Sequence, residues 1–221
     1  MAPVTLPDDS SLTESAEAQA QSPAASPKRA AIVEAAAELF LNSGYGDVSM
    51  DAIAARAGVS KRTVYSHFSG KDALFAAVMV SHCDQAVGLD TCQLDVAKDP
   101  QVELADLGVR FLSLVTSPPA VALFRTVVAE ADRFPELGRT FFASGPQRWL
   151  STLAPYLEAQ DRKGRLRVRD PEAAASNLLY MLKDPLHLRC ILGVQDVVSE
   201  QEIRDHVAQA VSRCLELHRP D

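Results

Sequence analysis

An all-α chain is predicted by three features of this sequence. Apolar residues recur at helical spacing along most of its length, prolines and glycines supply the boundaries between those stripes, and the two-residue alternation of a strand is nearly absent. The expected arrangement is an N-terminal three-helix domain containing a helix-turn-helix, followed by a larger helical bundle. The divisions are a tail over 1–27, a first domain over 28–86 and a second over 87–221.

Residues 1–27 are rich in Ala, Ser, Pro, Asp and Glu, with prolines at 3, 7, 23 and 27 and no apolar period, so they read as a disordered tail. Regular pattern begins at Lys28. Ile32, Ala35, Ala36, Leu39 and Phe40 make one apolar stripe, and Asn42-Ser43-Gly44 ends it, Gly44 suiting the left-handed position past a helix C-terminus.

Between Ser49 and Phe68 the chain reads SMDAIAARAGVSKRTVYSHF. Ser49 can cap a short helix, Asp51 sits in its first turn at the positive dipole end, and Ile53, Ala54 and Ala57 form its inner face. Gly58 then allows a sharp turn, Val59 plugs the corner and Ser60 caps a second short helix. On that helix Val64 and Phe68 share one side, while Arg62 and Ser66 point nearly opposite, flanked by Thr63 and Tyr65. A polar, hydrogen-bonding face of this width fits a major groove about 12 Å across. An ordinary surface helix can carry a polar outer face too, so the pattern alone leaves both readings open.

Beyond residue 71 nearly every stretch reads as helix, giving a bundle of about six, with boundaries at Asp99-Pro100, Ser117-Pro118-Pro119, Phe134-Pro135, Gly145-Pro146, Lys163-Gly164 and Asp170-Pro171. Asp170-Pro171-Glu172 sets cap, N1 proline and carboxylate in order, and Ser199 with Glu202 reads as a capping box. Ile203, Val207, Ala210, Val211 and Cys214 then form a continuous stripe. The basic run from Arg162 to Arg169 reads as a solvated loop between two helices rather than a second nucleic-acid patch.

With 47% apolar residues the chain can build a substantial core, and its apolar runs are far shorter than the roughly 20 residues that span a bilayer. No secretory signal pattern opens it, so no membrane partner and a cytoplasmic location are expected. Cys83, Cys92, Cys190 and Cys214 lack any C-x-x-C pairing and read as buried apolar residues. His187 and Cys190 form an H-x-x-C without a second ligand pair, so no metal and no cofactor are expected. The net charge of -7 opposes nucleic-acid binding in bulk, yet residues 28–75 hold six basic and five acidic residues while both flanks are net acidic.

The stretch from Ala30 to Phe75 resembles the N-terminal domain of the tetracycline-repressor (TetR) family. The resemblance runs from the Ala-rich first helix ending in Gly-Tyr, through the IA..AGVS turn and the T-x-Y-x-H-F recognition helix, to K-x-x-L-F. It implies a dimeric, sequence-specific regulator of transcription in the bacterial nucleoid, a repressor released from its operator by a small effector. Ser49, Tyr65 and Lys71 would then contact phosphates, Lys61, Arg62, Thr63 and Ser66 would face base edges or nearby backbone, and Ser60 would belong to the same DNA-binding set. His67 is assigned packing or a phosphate contact. Many relatives carry Gly at the place of Arg62.

Residues 129–142 and the later GRLRVRDPEAAA resemble the C-terminal domain of the AefR-like branch. In such a body the last two long helices dimerise, here about 171–192 and 200–218, which would put Ile203, Val207, Ala210, Val211 and Cys214 at the interface; the alternative is that they pack only within one subunit. A half-site offers too little specificity alone, so a homodimer on a palindromic duplex is the expected complex. An apolar effector pocket is expected among Phe111, Phe124, Phe141 and Trp149, with Arg125 or Glu130 as polar contacts. An enzyme finds no support, because no catalytic constellation is visible; an activator, or a redox sensor acting through its cysteines, is the rival reading that keeps DNA binding, although nothing around the cysteines visibly lowers a thiol pKa.

Overall fold

In a computed structural model of the chain, residues 26–87 and 94–220 are described, the side chains of 82–87 excepted. Residues 1–25 of the tail expected over 1–27, the side chain of Cys83, and Cys92 therefore lie outside the described residues and side chains, while Ser26 and Pro27 already cap and open a helix. Eleven helices and no strand occur among those described: α1 Pro27–Asp47, α2 Met50–Arg56, α3 Lys61–His67, α4 Lys71–Val87, α5 Pro100–Val115, α6 Pro118–Glu130, α7 Pro135–Ser144, α8 Pro146–Arg162, α9 Pro171–Lys183, α10 Leu186–Ile191 and α11 Glu200–Leu217. No single helix among them is long and apolar enough to cross a membrane.

Local chemistry sets most of these boundaries. Helices α5 to α9 each carry a proline in the first turn, where a missing N–H costs nothing and the fixed φ already suits the helix. Side-chain oxygens of Ser26, Asp99, Ser117, Asp170 and Ser199 accept from backbone N–H groups of the helices they precede. The capping box at Ser199 is only half formed, because the Glu202 carboxylate accepts from Gln195 Nε2 at 2.8 Å.

Two boundaries differ from expectation. Helical geometry breaks at Gly44 as expected, with φ 75° and ψ 166° that only glycine readily adopts, but a further helical turn beyond it runs to Asp47, so α1 continues past the break as a kink. The helix expected over 171–192 is split into α9 and α10 at Asp184-Pro185, where proline has no N–H to continue the ladder. This split, with α4 and the separate α7 and α8, raises the helices beyond residue 70 from the expected six to eight.

Two apolar clusters organise the packing. In one, Ile32, Phe40, Ile53, Val64, Leu74 and Phe75 from α1 to α4 close over Leu123, Val127 and Leu137 from α6 and α7. In the other, Leu104, Leu107 and Leu112 of α5 meet residues of α8, α9 and α11. Gly108 lets α5 approach α11 closely, since a Cβ there would lie 2.7 Å from Val207 Cγ1 and 2.8 Å from Leu182 Cδ2.

The stripe assigned to a subunit interface belongs to this second cluster. Ile203, Val207, Ala210, Val211 and Cys214 are all at most 5% exposed and pack inside the chain. Helix α5 and its neighbours cover these side chains within one chain, which favours the alternative of packing inside a subunit. The basic run after α8 is likewise more structural than expected. Arg165 reaches the carbonyls of Val96, Ala97 and Lys98 at 2.9–3.1 Å, and Arg162 pairs with Glu158 one turn back.

Candidate nucleic-acid interface

Helices α2 and α3 are fixed by their two serines. Ser49 Oγ accepts from Ala52 N at 3.1 Å and Ser60 Oγ from Thr63 N at 3.1 Å, while Gly58, at φ 66°, turns the chain between them. Ile53 and Val64, both wholly buried, pin the helices to each other and to α1 and α4. Phe68, 4% exposed, anchors the end of α3 beneath the Arg29 guanidinium, 5.1 Å from its ring centroid.

With that side fastened inward, Lys61, Arg62, Tyr65 and Ser66 are exposed on α3, Thr63 is half-buried, and both serine caps are exposed. Ser66 Oγ donates to Thr63 O at 2.7 Å, which orients its lone pairs away from the helix. Thr63 Oγ1 shares a 2.8 Å hydrogen bond with Ser60 Oγ. Lys61 is held by Asp51 at 2.8 Å, so a phosphate would have to compete with that exposed pair. His67 is exposed rather than packed in the core, with its ring 6.4 Å from that of Phe68. Arg29 at the start of α1 adds a cation near the end of α3, which pattern reading along α3 alone does not reveal.

Lys71 departs from its assigned phosphate contact. Its ammonium points inward, donating to the carbonyls of Tyr45 at 2.7 Å, Gly46 at 3.2 Å and Val48 at 3.0 Å, and lies 4.3 Å from the Tyr45 ring centroid. Loss of solvent there lowers its pKa from the usual lysine value. Tyr45 in turn donates its hydroxyl to Asp72, and burial followed by that carboxylate raises the phenol pKa. Lys71 therefore ties the start of α4 to the end of α1, and all three of its donors are occupied.

A second site lies in the bundle. Phe111, Phe124, Phe141 and Trp149 line one cavity of about 420 Å³, between α5, α6, α7, α8 and α9, with Met79 of α4 at its edge. The rings meet edge to face, Phe111 with Trp149 at 4.8 Å and Phe124 with Phe141 at 5.7 Å. Arg125 and Glu130, expected as its polar contacts, are elsewhere. Arg125 caps α10 through the carbonyls of Cys190 and Ile191 at 2.7 and 2.9 Å, and Glu130 packs against Gly44 and Gly46. The polar lining residues are instead Ser176, Tyr180, Lys183 and His187, which the sequence reading passed over although they recur at spacings of four, three and four. Burial, then the nearby Lys183 charge, pushes the His187 pKa down to about 4 against the opposing pull of Asp184, so the ring is neutral at pH 7.

Cys190 and Cys214 are buried, and burial raises both thiol pKa values, Cys214 to about 11. A thiol so protonated is a poor nucleophile. Among the described residues no group of three or more His, Cys, Asp or Glu is placed to hold a metal.

Comparison with known proteins gives concordant results. Residues 32–78 match the bacterial regulatory proteins of the tetR family, and residues 102–219 match the C-terminal domain of AefR-like transcriptional repressors. The chain is 47% identical over 60 residues to the HTH-type transcriptional activator FasR of Mycolicibacterium smegmatis, a match spanning only 27% of either chain. It is 22% identical to the HTH-type transcriptional regulator EthR of the same organism across 82% of both. Among solved structures, the flavonoid-responsive regulator FrrA is 33% identical with a TM-score of 0.73, over 87% of this chain and 97% of that one. A TetR-family regulator from Mesorhizobium loti MAFF303099 is 30% identical with a TM-score of 0.74, over 87% and 96%.

Proposed function

The chain belongs to the TetR family of DNA-binding transcriptional regulators, and from that premise we propose that it is a homodimeric repressor, released from a palindromic operator by a small aromatic or apolar effector. The observation that carries the reading is the α3 surface: a fully polar face held outward by Val64 and Phe68 on a two-serine scaffold.

In this reading Arg62 donates in bidentate fashion to guanine O6 and N7, a contact worth about 1–3 kcal/mol of discrimination. Ser66, whose hydrogen is spent on Thr63 O, accepts from an exocyclic amino group of adenine or cytosine. Ser49, Ser60, Thr63, Tyr65 and His67 lie around this pair and contact phosphate, with Lys61 exchanging Asp51 for a phosphate oxygen. Arg29 adds charge at the same edge. Two copies associate through the outward faces of α9 to α11, where Leu188, Leu192 and Val194 are at least half exposed.

The cavity is the effector site. Met79 at its edge lies on α4, and only Phe68, Ser69 and Gly70 separate that helix from α3. A ligand that fits the cavity better in one setting of α4 than in the other shifts the two recognition helices by its differential affinity, and DNA weakens ligand binding by the same factor. A randomised duplex pool passed over the full chain tests this function: recovery of an inverted repeat with half-sites about one helical turn apart supports it. No enrichment, or sedimentation as a monomer at micromolar concentration, contradicts it.

A further inference from the structure

The polar groups of the cavity are not scattered. Ser176, Tyr180, Lys183 and His187 fall on successive turns of α9 and α10, so they form one wall. Among the described lining residues there is one cation, Lys183, and no carboxylate. Lys183 makes no ion pair among the described residues; its ammonium lies 5.4 Å from the centroid of the Tyr180 ring, which is 62% exposed and marks the open side. His187, by contrast, is buried, stands edge to face with Phe124 at 5.1 Å, and offers a hydrogen bond without a charge. The rest of the lining is apolar, and Trp149 within it is 2% exposed.

We propose that the cavity selects flat aromatic molecules carrying one acidic group, with the rings seated among Phe111, Phe124, Phe141 and Trp149 and the anion held at the mouth by Lys183. This rests on the cavity being the effector site and adds the charge of the effector to it. Three physical points support the choice. An ammonium without an ion pair beside an apolar hollow gains a partner when an anion arrives, whereas a cationic ligand meets repulsion with no carboxylate in the lining, the adjacent Asp184 lying outside it. Edge-to-face ring pairs leave ring faces and edges available to a planar guest. A volume of about 420 Å³ suits a ligand of two or three rings.

Trp149 is the single tryptophan of the chain, so its fluorescence reports occupancy directly. The test titrates the full chain with biphenyl-4-carboxylate and with its uncharged isostere biphenyl-4-carboxamide. The carboxylate is expected to bind about tenfold more tightly, the size of one charge-assisted hydrogen bond at a half-exposed position. Lys183→Met should bring the two compounds together, and Lys183→Arg should keep them apart. Equal affinities in the unaltered chain, or a preference that survives Lys183→Met, would overturn the acidic-effector inference while leaving the cavity as a binding site. No change in Trp149 emission with either compound would overturn both.

Discussion

Replacing Lys71 with Met keeps an apolar stem beside Tyr45 and Phe134 but removes the ammonium that three carbonyls share. A hydrogen bond from a charged donor contributes about 1.5–3 kcal/mol when well buried, but this lysine is half-buried and water can reach part of the vacated site, so about 1 kcal/mol for each carbonyl is the better figure. The sum, about 2–4 kcal/mol, corresponds to a fall in Tm of roughly 5–15 °C for a chain of this size. Circular dichroism at 222 nm during heating measures it. Binding of the recovered operator, followed against salt at a temperature where the variant is folded, supplies the second reading. A lysine that contacts phosphate would reduce the slope of log K against log salt by about 0.9 per subunit, about 1.8 for the dimer, and leave Tm alone. Because this ammonium faces inward, the slope should stay while Tm drops; the reverse pattern would refute the structural role.

Two further outcomes follow from buried groups. His187 has a folded pKa of about 4 against 6.5 when unfolded, so the native state takes up its proton later; stability is complete above pH 7 and is lost as the pH falls from 6.5 towards 4. Urea denaturation at pH 7.5 and 5 should show a loss about 2 kcal/mol greater than in His187→Gln, and parallel losses in the two proteins would contradict this. Gly108→Ala gains about 1 kcal/mol of helix propensity but drives a methyl into Val207 and Leu182, at a cost of about 1–3 kcal/mol, so Tm should fall by a few degrees; a rise would show that α11 yields freely.

What could be read along the chain was local. Ser49, Ser60, Gly58 and the boundary prolines act within a turn or two of themselves, and the structure places them at the caps, the turn and the helix starts that this chemistry requires. Aromatic residues at helical spacing were also placed together, since Phe111, Phe124, Phe141 and Trp149 must bury their rings somewhere in a bundle. What failed was assignment across space. The Ile203 to Cys214 stripe announces a buried face without saying whether α5 or another subunit covers it. Arg125 and Lys71 each end on carbonyls distant in sequence, 65 and 26 residues away at their closest approach, which no periodicity encodes. Pro185 leaves little trace in the periodicity because apolar residues continue beyond it, across a break that the missing N–H enforces.

The most direct measurement compares binding of the selected operator with binding of a scrambled duplex, in the unaltered chain and in an Arg62→Ala/Ser66→Ala double variant, at one fixed salt concentration. The unaltered chain should prefer its operator by at least about 10³-fold, and the variant should lose about 2–4 kcal/mol of that preference, some 30- to 1,000-fold, with an unchanged melting curve because both side chains are exposed. A variant that folds normally and still discriminates as before would show that the outer face of α3 does not read the sequence.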